Sequence, residues 1–282
     1  MINNKIITFV SFADDLWADG LKRIEMQAKN CKIFDNVLCI NESSLYKDTD
    51  FLINNKDVPK IFLPAFGGGC WKPYVIKKAL ELYPESDYIV YSDAGNEINI
   101  NENTKSRFLD YLEIAEKTGI MIMQGTHSEK IYTHCSVINS IYPEAANTDT
   151  YMSSLIIIKN EKFYLDIIDE WQNEMEKNNH KNIILQNIKC CEEFQVHLYD
   201  QSVISCILKK YKIKGLLNES DWYFGSPVQK NTVLENIDTF PFFVARNLFF
   251  KSVLGKCVSY RHLSICMHED KNKCDKMIIV RS

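Results

Sequence analysis

Three stretches hold residue types that could do chemistry together: "GGGCWKPYVIKK" from Gly67, "DYIVYSDAGNEI" from Asp87 and "HLYDQSVIS" from His197. Asp93 closes an apolar run and is followed by Ala94 and Gly95, two residues small enough to let a bulky ligand approach the backbone. A lone carboxylate in that setting suits a hard divalent cation that keeps its waters and also takes phosphate oxygens. Lys72, 21 residues upstream at the mouth of a helix, could meet the same diphosphate from the other side as a point charge. Trp71 offers a flat face to a ring, or a cover for the core. Gly67, Gly68 and Gly69 are not a Walker loop, because no Gly-Lys-Ser/Thr follows; they predict a loop that is mobile or closely approachable, whose ordering on ligand binding is one way to exclude water. Taken singly, each feature has an ordinary structural use, Asp200 as a helix cap among them. Their order along the chain is what points to a site.

Ligands of open α/β sheets bind beyond the carboxyl ends of the strands, so the elements around Asp93 decide whether such a site forms. Apolar runs predict strands at 5–12, 34–40, 59–64, 87–93, 120–124 and 153–160. Helical spacing links Leu16, Leu21, Ile24 and Ala28, then Ile76, Ala79, Leu80 and Tyr83 after Pro73. It recurs at Phe108, Leu112 and Ala115, after a cap at Asn103 or Thr104 and before a stop at Gly119. A further helix carries Phe163, Ile167, Trp171 and Met175; another follows Asp200 with Val203 or Ile204, Ile207, Leu208 and Tyr211 inward. Residues 177–195 are polar and asparagine-rich and read as loop. Beyond about 225 there is no clean periodicity, and 246–282 hold eight Lys or Arg against three acids. This alternation is that of an α/β domain around a largely parallel sheet.

With 282 residues, 46% of them hydrophobic, the chain supports one large domain with an extension. A net charge of −4 argues against nucleic acid as partner. Ten cysteines without a CxxC, and a first segment that reads as a strand rather than a leader, predict reduced thiols and a cytoplasmic protein. No run approaches the roughly 18 apolar residues of a spanning helix. The basic tail is expected to be a solvated face, with peripheral contact to an anionic membrane as its alternative. Cys257, His262, Cys266, His268 and Cys274 cluster in sequence, at spacings that match no standard zinc module.

"WKPYVIKKALE…DYIVYSDAGNEI" followed by "HLYDQSVIS" resembles nucleotide-sugar glycosyltransferases of the GT-A fold, in which W-x-W-K-P, Y-x-D-A-G and H-x-H-D-Q-S segments recur in this order. The likeness covers roughly residues 1–215. It implies a Rossmann-like α/β fold with a mixed, mainly parallel sheet, as a domain over 1–225 and an extension over 226–282 that completes or covers the site. By position, Asp93 stands as the surviving acid of a D-x-D metal motif, with Gly95 where the second acid is usual and Asn96 or Glu97 as substitutes. Ser11, Phe12, Trp71, Lys72, Ser92, Asp93, Ala94 and Gly95 are expected around the nucleotide sugar. Asp200 and Gln201 are expected to be catalytic, with His197 and Asp200 on the sugar or acceptor side. Tyr199 replaces the second histidine of that motif. A C-terminal histidine, His262 or His268, would complete a shell for Mn2+ or Mg2+. The implied activity is metal-assisted transfer of a sugar from a nucleotide diphosphate, UDP above others, to a glycan, lipid or protein. The alternatives are an inactive nucleotide-sugar or glycan-binding module and a sugar-phosphate nucleotidyltransferase. The last usually has a glycine-rich, arginine-containing loop where this chain reads "SFADDLWADG".

Overall fold

A computed structural model describes residues 4–57, 64–185, 188–217 and 241–243. In chain order these form β1 (Ile7–Ala13), α1 (Ala18–Asn30), β2 (Asn36–Asn41), α2 (Glu42–Leu45), α3 (Thr49–Asn55), α4 (Pro64–Gly68), α5 (Trp71–Leu82), β3 (Tyr88–Ser92) and β4 (Glu97–Ile98). There follow α6 (Lys105–Thr118), β5 (Ile120–Ser128), α7 (Glu129–Tyr132), α8 (Cys135–Ile141), β6 (Asp149–Lys159), α9 (Lys162–His180), α10 (Tyr199–Lys210), β7 (Leu216–Leu217) and β8 (Phe242–Phe243). The main sheet has the order β2-β1-β3-β6-β5-β7. Only β6 opposes its neighbours, so the mixed, mainly parallel α/β sheet expected from the sequence is present.

Strict alternation builds both faces of this sheet. Val10, Phe12, Ile89, Tyr91, Ile156 and Ile158 enter one core with residues of α5, α9 and α10. Phe9, Tyr88, Val90, Leu155 and Ile157 enter the other, with α1 and α6. A strand buried on both faces needs apolar residues at every position, which is why "YIVY" and "LIII" are continuous runs. The helices therefore sandwich the sheet and leave its strand ends for chemistry.

Three expectations change. Leu16 is not part of the α1 stripe: it lies in a 3-10 turn at Asp15–Trp17 and is 71% exposed. Asp200 does not cap α10; Leu198 holds the cap position and Asp200 is the helix's second residue, with a buried side chain. Not all thiols are free, since Cys135 and Cys190 form a disulfide across 55 residues. The strand expected at 59–64 begins in residues outside those described, and Pro64 opens α4. No helix among the described residues is long and apolar enough to cross a membrane. His262, His268, the cysteines around them and the basic tail lie outside the described residues. From the expected extension, Pro241–Phe243 are described: Phe242 and Phe243 pair antiparallel with β4, just beyond the Asp93 loop.

Candidate active site

The carboxyl end of β3 meets the first turns of two helices. β3 is buried throughout, and Asp93 still belongs to its ladder because its N–H donates to Ser154 O (2.9 Å). The chain then turns through Ala94 and Gly95, closed by Asn96 N–H to Asp93 O (2.9 Å). Lys72 is the second residue of α5 and Asp200 the second of α10. The Lys72 ammonium stands 3.1 Å from Asp93 Oδ1 and 2.7 Å from Asp200 Oδ2. It also donates to Ser153 Oγ (3.1 Å) and Ser153 O (3.2 Å) on β6. Ser153 Oγ in turn donates to Asp200 Oδ2 (2.7 Å).

Only Asp93 faces outward. Its side chain is 38% exposed, against 5% for Lys72 and 10% for Asp200. Burial would lower the Lys72 ammonium, but Asp200 and Asp93 outweigh it and hold Lys72 above its ordinary value. Burial pushes the Asp200 carboxyl up, with Lys72 opposing. One cation between two carboxylates leaves the cluster with a net negative charge when all three groups are ionised. Tyr91, buried and raised well above its ordinary value by burial and then by Asp93, donates its hydroxyl to Asp93 Oδ1. Its ring lies 5.2 Å from the Lys72 ammonium. Lys72, expected as a free point charge for a diphosphate, instead directs its donors into the protein.

The glycine run has a specific task. Phe66, Gly67, Gly68 and Gly69 all have positive φ (51°, 73°, 64° and 73°), which makes this segment a left-handed turn. L-residues lose roughly 1–2 kcal/mol each in that conformation and glycine does not, so three glycines relieve most of its strain. The turn is packed and buried from Gly67 to Cys70. A Cβ on Gly69 would stand 2.7 Å from Asp200 Cγ, and one on Gly68 would stand 2.5 Å from Ile183 Cγ2. Of the two forms expected for the glycine loop, mobile or closely approachable, this is the close approach: a fitted cover over Asp200.

Other expected residues sit behind the cluster. Ser11 is buried and donates to Ser92 O (2.7 Å); Ser92 Oγ accepts from Asn96 Nδ2 (3.0 Å). Phe12 and Trp71 stack with ring centres 4.2 Å apart and are 3% and 6% exposed, so both are packed in the core. Ala94 and Gly95 are buried in the turn, and Gln201 is half-buried. His197 is 3% exposed with both ring nitrogens engaged: Nδ1 accepts from His134 N–H (3.2 Å) and Nε2 donates to Asn182 O (2.9 Å). Burial pulls its pKa down to about 4. It braces the segment 188–198, which the Cys135–Cys190 disulfide and the bond from Leu198 N–H to Tyr132 O (3.1 Å) also tie down. Sequence reasoning missed Tyr91 and Ser153 as members of the cluster. The signal for Ser153 was a polar pair, Ser153-Ser154, directly before the apolar run Leu155–Ile158.

For a divalent cation, the cluster provides one outward acid, Asp93. Gly95 stands where the resemblance leads one to expect a second acid, Asn96 is turned to Ser92 and Ser154, and Glu97 is fully buried beside Arg23 and Gln27. Neither Asn96 nor Glu97 therefore substitutes for it. One exposed carboxylate in a cluster with excess negative charge fits a cation that arrives with its diphosphate, because magnesium-like ions bind through one or two carboxylates plus substrate phosphates.

No family model matches this chain, and no curated protein matches its sequence. Among solved structures, it is similar to a glycosyltransferase involved in the glycosylation of the major capsid of PBCV-1, at 8% identity and a TM-score of 0.49, over 84% of this chain and 92% of that one. It is also similar to apo mouse xyloside xylosyltransferase 1, at 10% identity and a TM-score of 0.44, over 90% and 98%.

Proposed function

We propose that the protein transfers a sugar from a nucleotide-diphosphate donor to a glycan, lipid or protein acceptor. The observation that carries this reading is the convergence of Lys72, Asp93 and Asp200, distant in sequence, at the carboxyl end of β3. Two helix N-termini meet there, and the positive ends of their dipoles favour phosphate oxygens.

Breaking an anomeric carbon–diphosphate bond requires stabilising the negative charge that grows on the leaving group. A divalent cation, Mn2+ or Mg2+, held by Asp93 and the donor's own phosphates would supply Lewis-acid stabilisation there. Tyr91 and Lys72 fix the Asp93 carboxylate so that its exposed side faces the donor. Lys72 and Ser153 hold Asp200 beneath the glycine turn, where its carboxylate orients sugar hydroxyls or takes the acceptor's proton. The Phe66–Gly69 turn keeps water off that side, and water is a competing acceptor.

The missing second acid favours one other reading, a module that binds nucleotide sugar without turning it over. Release of nucleoside diphosphate from UDP-, GDP-, CDP- and dTDP-sugars, with Mn2+ or chelator, separates the two. Metal-dependent release from one donor is expected. Donor binding without release, even with mixed glycan acceptors, would favour the module, and neither binding nor release would refute both.

A further inference from the structure

We infer that Arg23 and Gln27, one turn apart on α1, are positioning residues that clamp the 94–98 turn from behind and so set the outward pose of Asp93. This rests on the donor-site reading of Asp93 given above. Arg23 is fully buried, so none of its guanidinium faces water. Its Nη2 donates to Ala94 O (2.9 Å) and to Asn96 O (3.0 Å), the carbonyls on either side of Gly95. Gln27 takes the next step of the chain: its Oε1 accepts from Ile98 N–H (3.0 Å) and its Nε2 donates to Glu97 Oε2 (3.3 Å). Glu97, fully buried, faces the Arg23 guanidinium at 4.0 Å and balances its charge.

Residues four apart on a helix share a face, so the two side chains reach consecutive parts of one turn as a unit. The grip is specific to a guanidinium. The guanidinium serves both carbonyls from Nη2 while its Nε edge faces Glu97, whereas a lysine offers one nitrogen for all three. Apolar residues could replace the Arg23–Glu97 pair with little net loss, but they could not supply the donors that the Ala94 and Asn96 carbonyls use. What the polar clamp adds is a fixed path for the peptide groups between Asp93 and β4, at the position where the D-x-D pattern has lost its second acid.

The test compares Arg23→Met and Gln27→Leu with Ile24→Ala, a variant of the same helix whose buried side chain belongs to the apolar core. Affinity for UDP in the presence of Mn2+ is measured by calorimetry, together with thermal stability and amide exchange over 94–98. Both clamp variants are expected to weaken UDP binding at least tenfold and to speed exchange at 94–98, while Ile24→Ala lowers stability without either change. Gln27 is half-buried, so Gln27→Leu decides the matter if Arg23→Met does not fold. Equal loss of UDP affinity in Ile24→Ala and the clamp variants, or none in the clamp variants, overturns the inference. If the wild type binds no UDP, the donor-site reading fails with that nucleotide and exchange alone judges the clamp: selective acceleration at 94–98 supports it and unchanged exchange overturns it.

Discussion

Replacing Gly69 by alanine should damage stability and the candidate site together, for separable reasons. Gly69 has φ 73°, so any L-residue there loses about 1–2 kcal/mol of backbone energy. The added methyl would stand 2.7 Å from both Cγ and Oδ1 of Asp200 and 2.9 Å from its Cβ. Asp200 cannot swing clear without leaving Lys72 at 2.7 Å and Ser153 at 2.7 Å. Forcing a methyl into such a contact costs about 1–3 kcal/mol. The combined loss is roughly 2–5 kcal/mol, read in urea as a lower midpoint at unchanged slope.

Gly68→Ala is the control. It has φ 64°, but its methyl would meet the Cγ2 methyl of Ile183 at 2.5 Å and Tyr199 at 3.1 Å, not Asp200. Its stability should fall by a similar amount, while turnover of the donor identified in the release assay should fall much less than in Gly69→Ala. If Gly69→Ala unfolds within about 0.5 kcal/mol of the wild type, the left-handed turn is not the conformation of this segment. If both variants lose turnover equally, Asp200 is not the group through which the turn acts.

Lys72→Met should cost about 3–5 kcal/mol, because Asp200 is left as an unpaired buried carboxylate; the double variant Lys72→Met/Asp200→Asn should recover part of it. Additive losses in urea unfolding would show that the two side chains do not depend on each other. His197, whose folded pKa lies near 4 against 6.5 in the unfolded chain, takes up its proton later than the unfolded state does as pH falls. Its stabilisation is therefore fully present above about pH 6.5 and is lost progressively down to about pH 4, up to about 3 kcal/mol. His197→Asn should flatten the stability profile across that window, and a profile of unchanged slope would show that burial does not suppress protonation there.

What was legible in the sequence is what local rules decide. Continuous apolar runs and strand-end position identify β1, β3, β5 and β6 from short-range patterns, and Asp93 follows as the residue left at the end of β3. The glycine run announced an unusual backbone, since glycine takes successive positive φ at no steric cost. Its partner was hidden, because Asp200 lies 131 residues onward and aspartate near a helix start reads equally well as a cap. The disulfide was hidden for a similar reason: Cys135 and Cys190 meet only because the segment 188–198 folds back on α7 and α8, which no spacing rule encodes.

Arg23 and Gln27 show a deeper limit. Beside Leu21, Ile24 and Ala28 they read as the solvated edge of an amphipathic stripe, and a burial rule places arginine outside. The pull that brings Arg23 inside comes from three acceptors on another element, the carbonyls of Ala94 and Asn96 and the carboxylate of Glu97. Two of these are backbone atoms and carry no residue identity at all. A polar side chain that serves main-chain carbonyls leaves no complementary residue to find in the sequence. The arrangement behind the candidate site is therefore the part that three-dimensional structure alone makes visible. It is also the part whose substitution should alter Asp93 without touching a residue of the D-A-G motif.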